Sequence, residues 1–173
     1  EFRRVLFRSK VDAGYLDDNT VLFATAKGGE TKSGYARIVK LWKRGTPIAS
    51  AKVLYEGQVD DVLAAPATFH SKEGNAGLVI RAVNFFESDY FLLTGETVKQ
   101  MPLPRSADVK GLFDGAWLAT LRQPFETGGV SLPKGALVAF RDTAPPQVIF
   151  APGPRQSIES VSIGRDKVYV AIT

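Results

Sequence analysis

A fourfold strand pattern recurs along the chain at nearly constant spacing, and this limits the possible folds more than any other feature. Aliphatic strands are expected at 21–26, 78–83 and 117–121, after the turn residues Asp17-Asp18-Asn19, Gly74-Asn75 and Asp114-Gly115. A second strand follows each, at 37–43, 89–93 and 136–141, and a third at 51–55, 97–103 and 147–150. A further candidate precedes the aliphatic strand of each later unit, at 60–65, 108–113 and 158–163. The units then run over 10–57, 58–104 and 105–153, with lengths of 48, 47 and 49 residues. A half unit at 154–173 adds two strands, the last at 167–172 after Arg165-Asp166. Four strands in about 40–50 residues is the signature of a propeller blade. The expected fold is therefore all-β: a partial β-propeller of about three and a half four-stranded antiparallel blades.

Helix competes poorly. Gly28-Gly29, Gly45-Thr46-Pro47, Pro102, Pro104 and Pro145-Pro146 cut the chain into pieces too short for stable helices. Val, Ile, Phe and Tyr dominate the apolar runs, as pleated surfaces favour. A β-sandwich also has short strands but gives no reason for a constant unit length. In the strand at 37–43, Ile38, Lys40 and Trp42 share one face and Arg37, Val39 and Leu41 the other. Each face mixes apolar and basic side chains, which suits a sheet covered on both sides with cationic ends reaching water.

Residues 1–9 differ in texture from the rest of the chain. Leu6-Phe7-Arg8-Ser9 can be encoded by CTC TTC CGA TCT, which resembles the end of a sequencing adapter, and the segment is read as a non-native leader. It holds three of the 22 basic residues and one of the 18 acidic ones, leaving 19 against 17, a net charge of +2 rather than +4. That balance does not support nucleic-acid binding. Lys40, Lys43 and Arg44 around Trp42 are read as strand-end residues that snorkel to solvent. No apolar run approaches the roughly 18 residues of a membrane span. The chain has no cysteine, which excludes disulfides and thiolate metal sites.

Catalytic constellations are missing. The Gly-x-Ser-x-Gly elbow does not occur, and the single histidine, His70, is expected exposed in a turn between two strands. Gly29-Glu30-Thr31-Lys32-Ser33-Gly34 has two glycines at P-loop spacing, but Tyr35 and Ala36 follow the second, so it is read as a flexible connection. One histidine cannot supply a zinc site, and no cofactor is expected. Asp17/Asp18 and Asp60/Asp61 are read as turn or solvated-edge carboxylates; neighbours in a strand point to opposite faces and cannot act as a glycosidase pair.

The stretch from Ser33 to Pro47, Ser-Gly-Tyr-Ala-Arg-Ile-Val-Lys-Leu-Trp-Lys-Arg-Gly-Thr-Pro, resembles a blade in the propeller of prolyl-oligopeptidase-like serine peptidases. Tyr15-Leu16-Asp17-Asp18-Asn19-Thr20, Phe85-Phe86-Glu87-Ser88-Asp89-Tyr90-Phe91 and Ile158-Glu159-Ser160-Val161-Ser162 are similar to segments of that family in the same order. The similarity extends over 10–173 but is strong only in these patches, and Ala36 stands where proline is expected. The resemblance implies a seven-bladed propeller capping a separate α/β-hydrolase domain that carries the serine, aspartate and histidine. None of those positions falls in this chain, which would cover the middle of the propeller, about a quarter of the parent, and stop two strands into a blade as a gene fragment would. The implied role is gating: short peptides reach the hydrolase domain through an axial tunnel, and folded proteins do not. The first strand of each blade would lie innermost, so Asp61, Lys110 and Ser160 are the candidate tunnel-lining residues. No obligate protein partner is implied. A stand-alone binding propeller, recognising protein or carbohydrate, is the competing expectation, and sequence beyond Thr173 discriminates the two.

Overall fold

The computed structural model describes residues 10–141 and 144–173; the expected leader at 1–9 lies outside the described residues. The described residues form sixteen β-strands and one 3-10 turn, Ile48–Ser50, with no α-helix among them. None of their helices is long and apolar enough to cross a membrane. They divide into two compact units. The first runs up to Phe69 and takes in Asn75–Leu103; the second comprises His70–Gly74 and Pro104–Thr173.

The first unit contains two four-stranded antiparallel sheets. One joins β1 (Val11–Asp17), β2 (Thr20–Thr25), β3 (Ile38–Lys43) and β4 (Lys52–Glu56) in sequence order. The other joins β5 (Leu63–Ser71), β6 (Gly74–Ala82), β7 (Ser88–Thr94) and β8 (Thr97–Gln100) in the same way. Successive strands pair because the turns between them are short: Asp17 accepts a hydrogen bond from the Asn19 amide at 2.8 Å, closing the β1–β2 turn. The central strands are the aliphatic ones. Leu22, Ala24, Val39, Leu78 and Val79 have no more than a trace of exposure, and Ala24, Ala36, Val39, Ala64 and Val79 form one cluster with Tyr55, Phe91 and Val98 packed against it. Full burial contributes roughly 1.5–3 kcal/mol for each valine or leucine and less for each alanine, whose small side chains let the sheets approach closely.

Close approach depends on two glycines. A Cβ on Gly77 would lie 2.7 Å from Leu22 Cδ1, and one on Gly14 would lie 2.6 Å from Thr68 Oγ1. Only a residue without a side chain lets β6 reach Leu22 of the neighbouring sheet, and β1 reach Thr68, at this distance.

The second unit contains a four-stranded antiparallel sheet of β9 (Ala107–Phe113), β10 (Ala116–Leu121), β13 (Leu137–Arg141) and β14 (Ala144–Phe150). Between β10 and β13 a separate hairpin, β11 (Phe125–Thr127) and β12 (Val130–Leu132), turns at Gly128 and Gly129, whose φ angles are +56° and +75°. A two-stranded sheet, β15 (Ile158–Ile163) and β16 (Val168–Ile172), completes the unit. Ala116, Leu118, Leu137 and Ala139 are the buried centre of this unit, and Ile158, Val161, Ile163, Val168 and Val170 pack on them.

Several boundaries differ from the sequence expectation. The strand expected at 60–65 begins instead at Leu63, because Asp61 turns back on Gln58 and leaves Asp60 and Asp61 in the preceding turn. His70 lies near the end of β5 rather than in a turn; it is exposed, as expected. The strand expected at 97–103 ends at Gln100; the Met101 amide makes one further bond, to Tyr90 O at 2.8 Å, and Pro102 has no N–H to continue. Pro145 and Pro146, read as breakers, sit inside β14; the strand is an edge, and the register shift opposite them, between Ala139 and Arg141, leaves both prolines outside the paired positions. The β11–β12 hairpin has no counterpart in the sequence expectation, since each strand has only three residues.

Candidate functional site

The most buried charge among the described residues gathers where β4 hands over to β5. Asp61 is 3% exposed and Asp89 is 6% exposed, values that carboxylates reach only with partners. Arg81, on β6, supplies them. Its Nε and Nη2 donate to the two oxygens of Asp61, each at 2.9 Å, and Nη1 lies 3.4 Å from Asp89 Oδ2. The first contact is a bidentate fork, the strong form of this pair; the second is long. The Gln58 amide also donates to Asp61 Oδ2, at 2.6 Å. A Cβ on Gly57 would lie 3.0 Å from that same oxygen, so glycine leaves room for the carboxylate.

The electrostatics follow from the geometry. The hydrogen bonds from Arg81 to Asp61 hold the guanidinium pKa above its already high ordinary value, more than burial lowers it. Burial pushes the neighbouring Tyr55 phenol up, with the charge of Arg81 pulling the other way. The Tyr55 ring packs on Phe91 at 4.5 Å between centroids, which places an apolar lid beside the charges. Arg37, next to the linker, pairs with Glu56 and donates from Nη1 to the Gly57 carbonyl at 3.3 Å. The Lys32 amide donates to Val59 O at 2.8 Å, and Thr31 Oγ1 to Val62 O at 3.0 Å.

Chemically this is a clamp. Both Asp61 oxygens are occupied by donors, and Arg81 is a permanent cation, so neither of these two groups is free to act as a base or an acid. Its effect is to fasten the 57–62 linker and β6 of the first unit together. The Gly29–Gly34 segment, expected to be flexible, forms part of the same fastening. Thr31 is 4% exposed, its amide donates to Tyr35 O at 2.8 Å, and Gly34 donates to Thr31 O at 2.9 Å. Among the described residues no group of three His, Cys, Asp or Glu side chains could hold a metal ion.

The three residues expected to line a tunnel occupy different settings. Asp61 is buried in the clamp, ahead of its strand. Lys110 lies on β9, half-buried, with Nζ 2.7 Å from Asp108 Oδ2. The β9–β10 register passes from Gly111↔Leu118 to Val109↔Ala119, so Lys110 is the extra residue of a bulge, a device that re-aims a side chain. Ser160 is exposed on β15, just after Glu159, the extra residue of a second bulge. Of the basic residues around Trp42, Lys43 pairs with Glu96 at 2.6 Å and Arg44 donates to Asp18 O at 3.3 Å; Trp42 Nε1 donates to Thr46 O at 2.9 Å. Sequence reading missed Arg81 as the centre of the clamp. The signal was present: a lone arginine inside Leu78-Val79-Ile80-Arg81-Ala82-Val83, an aliphatic run that tolerates a charge only opposite a partner.

No family model matches the chain. By sequence the chain is similar to one segment of a peptidase, and by fold to one segment of a post-proline cleaving enzyme, in line with the resemblance to prolyl-oligopeptidase-like peptidases read from its motifs. The sequence relative is the uncharacterized peptidase y4nA of Sinorhizobium fredii (strain NBRC 101917 / NGR234), 27% identical over 185 residues, covering 97% of this chain and 26% of that protein. The structural relative is the post-proline cleaving enzyme of Rickettsia typhi, with a TM-score of 0.84 at 20% identity over 94% of this chain and 26% of that one. The chain thus spans about a quarter of the length of each.

Proposed function

We propose that this chain is the non-catalytic propeller portion of a prolyl-oligopeptidase-family serine peptidase, admitting short peptides to a hydrolase domain carried outside these 173 residues. The supporting observation is the pairing of coverage values: 97% of this chain aligns with 26% of a peptidase. A match over nearly the whole chain that takes in a quarter of the relative supports reading the chain as one portion of such a protein. On this reading the sheets are blades, with units near 10–57, 58–104 and 105–153 and a half blade at 154–173. Lys110, the extra residue of a bulge, and Ser160, beside another, both on first strands, are the residues of this portion that passing peptides would meet; Asp61 would act one step behind them, by holding its blade in place.

The mechanism is exclusion. An extended peptide threads a passage lined by inner strands, whereas a folded domain is too wide to enter. Hydrolysis needs a nucleophile beside a base, with donors aimed at the developing oxyanion. These belong to the hydrolase domain. Accordingly the 173-residue chain alone should neither cleave proline-containing peptides nor label with a serine-directed phosphonate, while the full-length polypeptide should cleave short peptides and spare folded proteins. Labelling of the isolated chain that disappears in His70→Ala would overturn the assignment. So would a full-length protein that digests folded substrates as readily as short ones, and a gene that stops after further blades would establish a binding propeller instead.

A further inference from the structure

The turn from β9 to β10 consists of Asp114 and Gly115, since Phe113 and Ala116 pair directly across it. Both turn residues have positive φ, +49° and +68°, as a hairpin turn of this length requires. Among the described residues Asp114 is the one non-glycine with such a φ, in the left-handed region that aspartate enters more readily than most. The pair is also the only Asp-Gly in the chain, which has no Asn-Gly. Every other aspartate precedes a residue that carries a side chain.

The setting of this aspartate differs from that of the others. Asp17 accepts the Asn19 amide, Asp61 is held by Arg81 and Asp108 by Lys110. Asp114 and Gly115 are exposed, and among the described residues no hydrogen bond or ion pair holds the Asp114 carboxylate or the Gly115 amide. A Cβ on Gly115 would meet nothing within 4 Å, and its absence leaves the amide nitrogen open to close approach. The Asp114 backbone carbonyl, by contrast, has a partner: Arg141 Nη2 donates to its oxygen at 3.3 Å. Asp114 and Arg141 line an open cavity of about 460 Å³ with Asp166 and Lys167, so water reaches this side of the turn.

We propose that Asp114 is a site of spontaneous isomerisation to isoaspartate, with Arg141 directing the outcome; this does not depend on the function proposed above. The Gly115 nitrogen bonds to Asp114 Cγ. One carboxyl oxygen leaves as water, taking the amide proton and a proton from solvent, and a cyclic succinimide remains. Water then adds to one of the two ring carbonyl carbons, and the bond from that carbon to the Gly115 nitrogen breaks. The nitrogen takes one proton of that water, and the carboxyl formed gives its own to solvent. Opening at Cγ restores aspartate. Opening at the backbone carbonyl carbon leaves the chain running through Cβ and Cγ, which is isoaspartate. The Arg141 guanidinium, already on the backbone carbonyl oxygen, stabilises the charge that develops there as water adds, and so favours the second opening. The product places one extra backbone atom in the turn and a carboxylate beside Arg141.

Incubation of the 173-residue chain at neutral pH in heavy-oxygen water tests both parts. Each passage through the succinimide leaves one heavy oxygen in the product, which peptide mapping locates and electron-transfer fragmentation assigns to aspartate or isoaspartate. Incorporation at Asp114 should exceed that at Asp12, which is exposed and precedes Ala13, several-fold, and Asp114→Glu should abolish it. In Arg141→Gln the ratio of isoaspartate to aspartate should fall about threefold, the worth of one exposed hydrogen bond. The same lower ratio should appear in the natural chain unfolded in urea, where Arg141 no longer meets the turn. Incorporation at Asp114 no greater than at Asp12 overturns the site. A ratio that is unchanged in Arg141→Gln, or equal in the folded and urea-unfolded chains, overturns the role of Arg141.

Discussion

Asp61 shows how much a single buried carboxylate can determine. With both oxygens on Arg81 and a backbone amide on one of them, it fastens the 57–62 linker to β6 beside the Val62–Ala82 backbone bond. Removing one partner of a buried pair strands the other, at a cost of about 3–5 kcal/mol. Asp61→Ala should therefore lower stability in urea unfolding by about 3 kcal/mol, and combination with Arg81→Met should cost at least 1 kcal/mol less than the sum of the single changes. Additive costs would show that the two side chains act independently. Glu96 is a milder case at the surface. Hydrogen bonds from Lys43 first and Lys52 second hold its carboxyl below the ordinary glutamate range. A depressed carboxyl contributes stability that is fully present above its unfolded pKa and is lost as pH falls through the lower folded value. The thermal midpoint of the natural chain should exceed that of Glu96→Gln slightly at neutral pH, and the gap should close below about pH 4. A gap that persists in acid would assign the effect to packing instead.

Among the elements, β6 is the most demanding. Its Gly77 admits Leu22 from the neighbouring sheet, Leu78 and Val79 are fully buried, and Arg81 closes the clamp. Gly77→Ala inserts a methyl where the nearest atom would be 2.7 Å away, and overpacking of this kind costs about 1–3 kcal/mol. Adding Leu22→Val should recover part of that loss if Leu22 is the obstructing group; no recovery in a denaturation experiment would point to Leu93, the next nearest side chain. At the other extreme, β16 is open. Tyr169 is 61% exposed and Ile172 is 44% exposed, and β16 is paired only with β15. An unpaired apolar edge favours association. The 173-residue chain should self-associate at micromolar concentration by light scattering, and Tyr169→Lys with Ile172→Lys should reduce it. A chain that stays monomeric without these substitutions would show that the edge is protected.

At the scale of the whole molecule, the described residues are all-β and built from antiparallel sheets, most of whose neighbouring strands are consecutive and joined by short connections, the exception being β10 and β13 with the β11–β12 hairpin between them. Such sheets expose an apolar face on each side and gain stability by stacking, which is why repeating units of this type occur in series. The similarity to a quarter of a peptidase, over nearly all of this chain, gives that series a setting. If the gating function holds, the full-length polypeptide cleaves short peptides and leaves folded proteins intact, whereas loss of the chain from it should release that restriction. A deletion that leaves the size preference unchanged would remove gating from its roles.

The strand repeat was legible in the sequence because alternation of aliphatic runs and turn residues is a local property. Asp17, Asn19, Asp114 and Gly115 encode their turns through hydrogen bonds and backbone conformations reaching only two or three residues. The resemblance to a peptidase segment was legible for the same reason, in contiguous patches. What tertiary structure alone decided is which distant groups meet. Asp61 pairs with Arg81 twenty residues away, Thr31 with Val62 across thirty-one, and Gly77 with Leu22 across two sheets. β5 starts three residues from its expected place because Asp61 turns back on Gln58 and pairs with Arg81. Local pattern carries no information about such a meeting, since burial makes the pairing mandatory only after the sheets have packed.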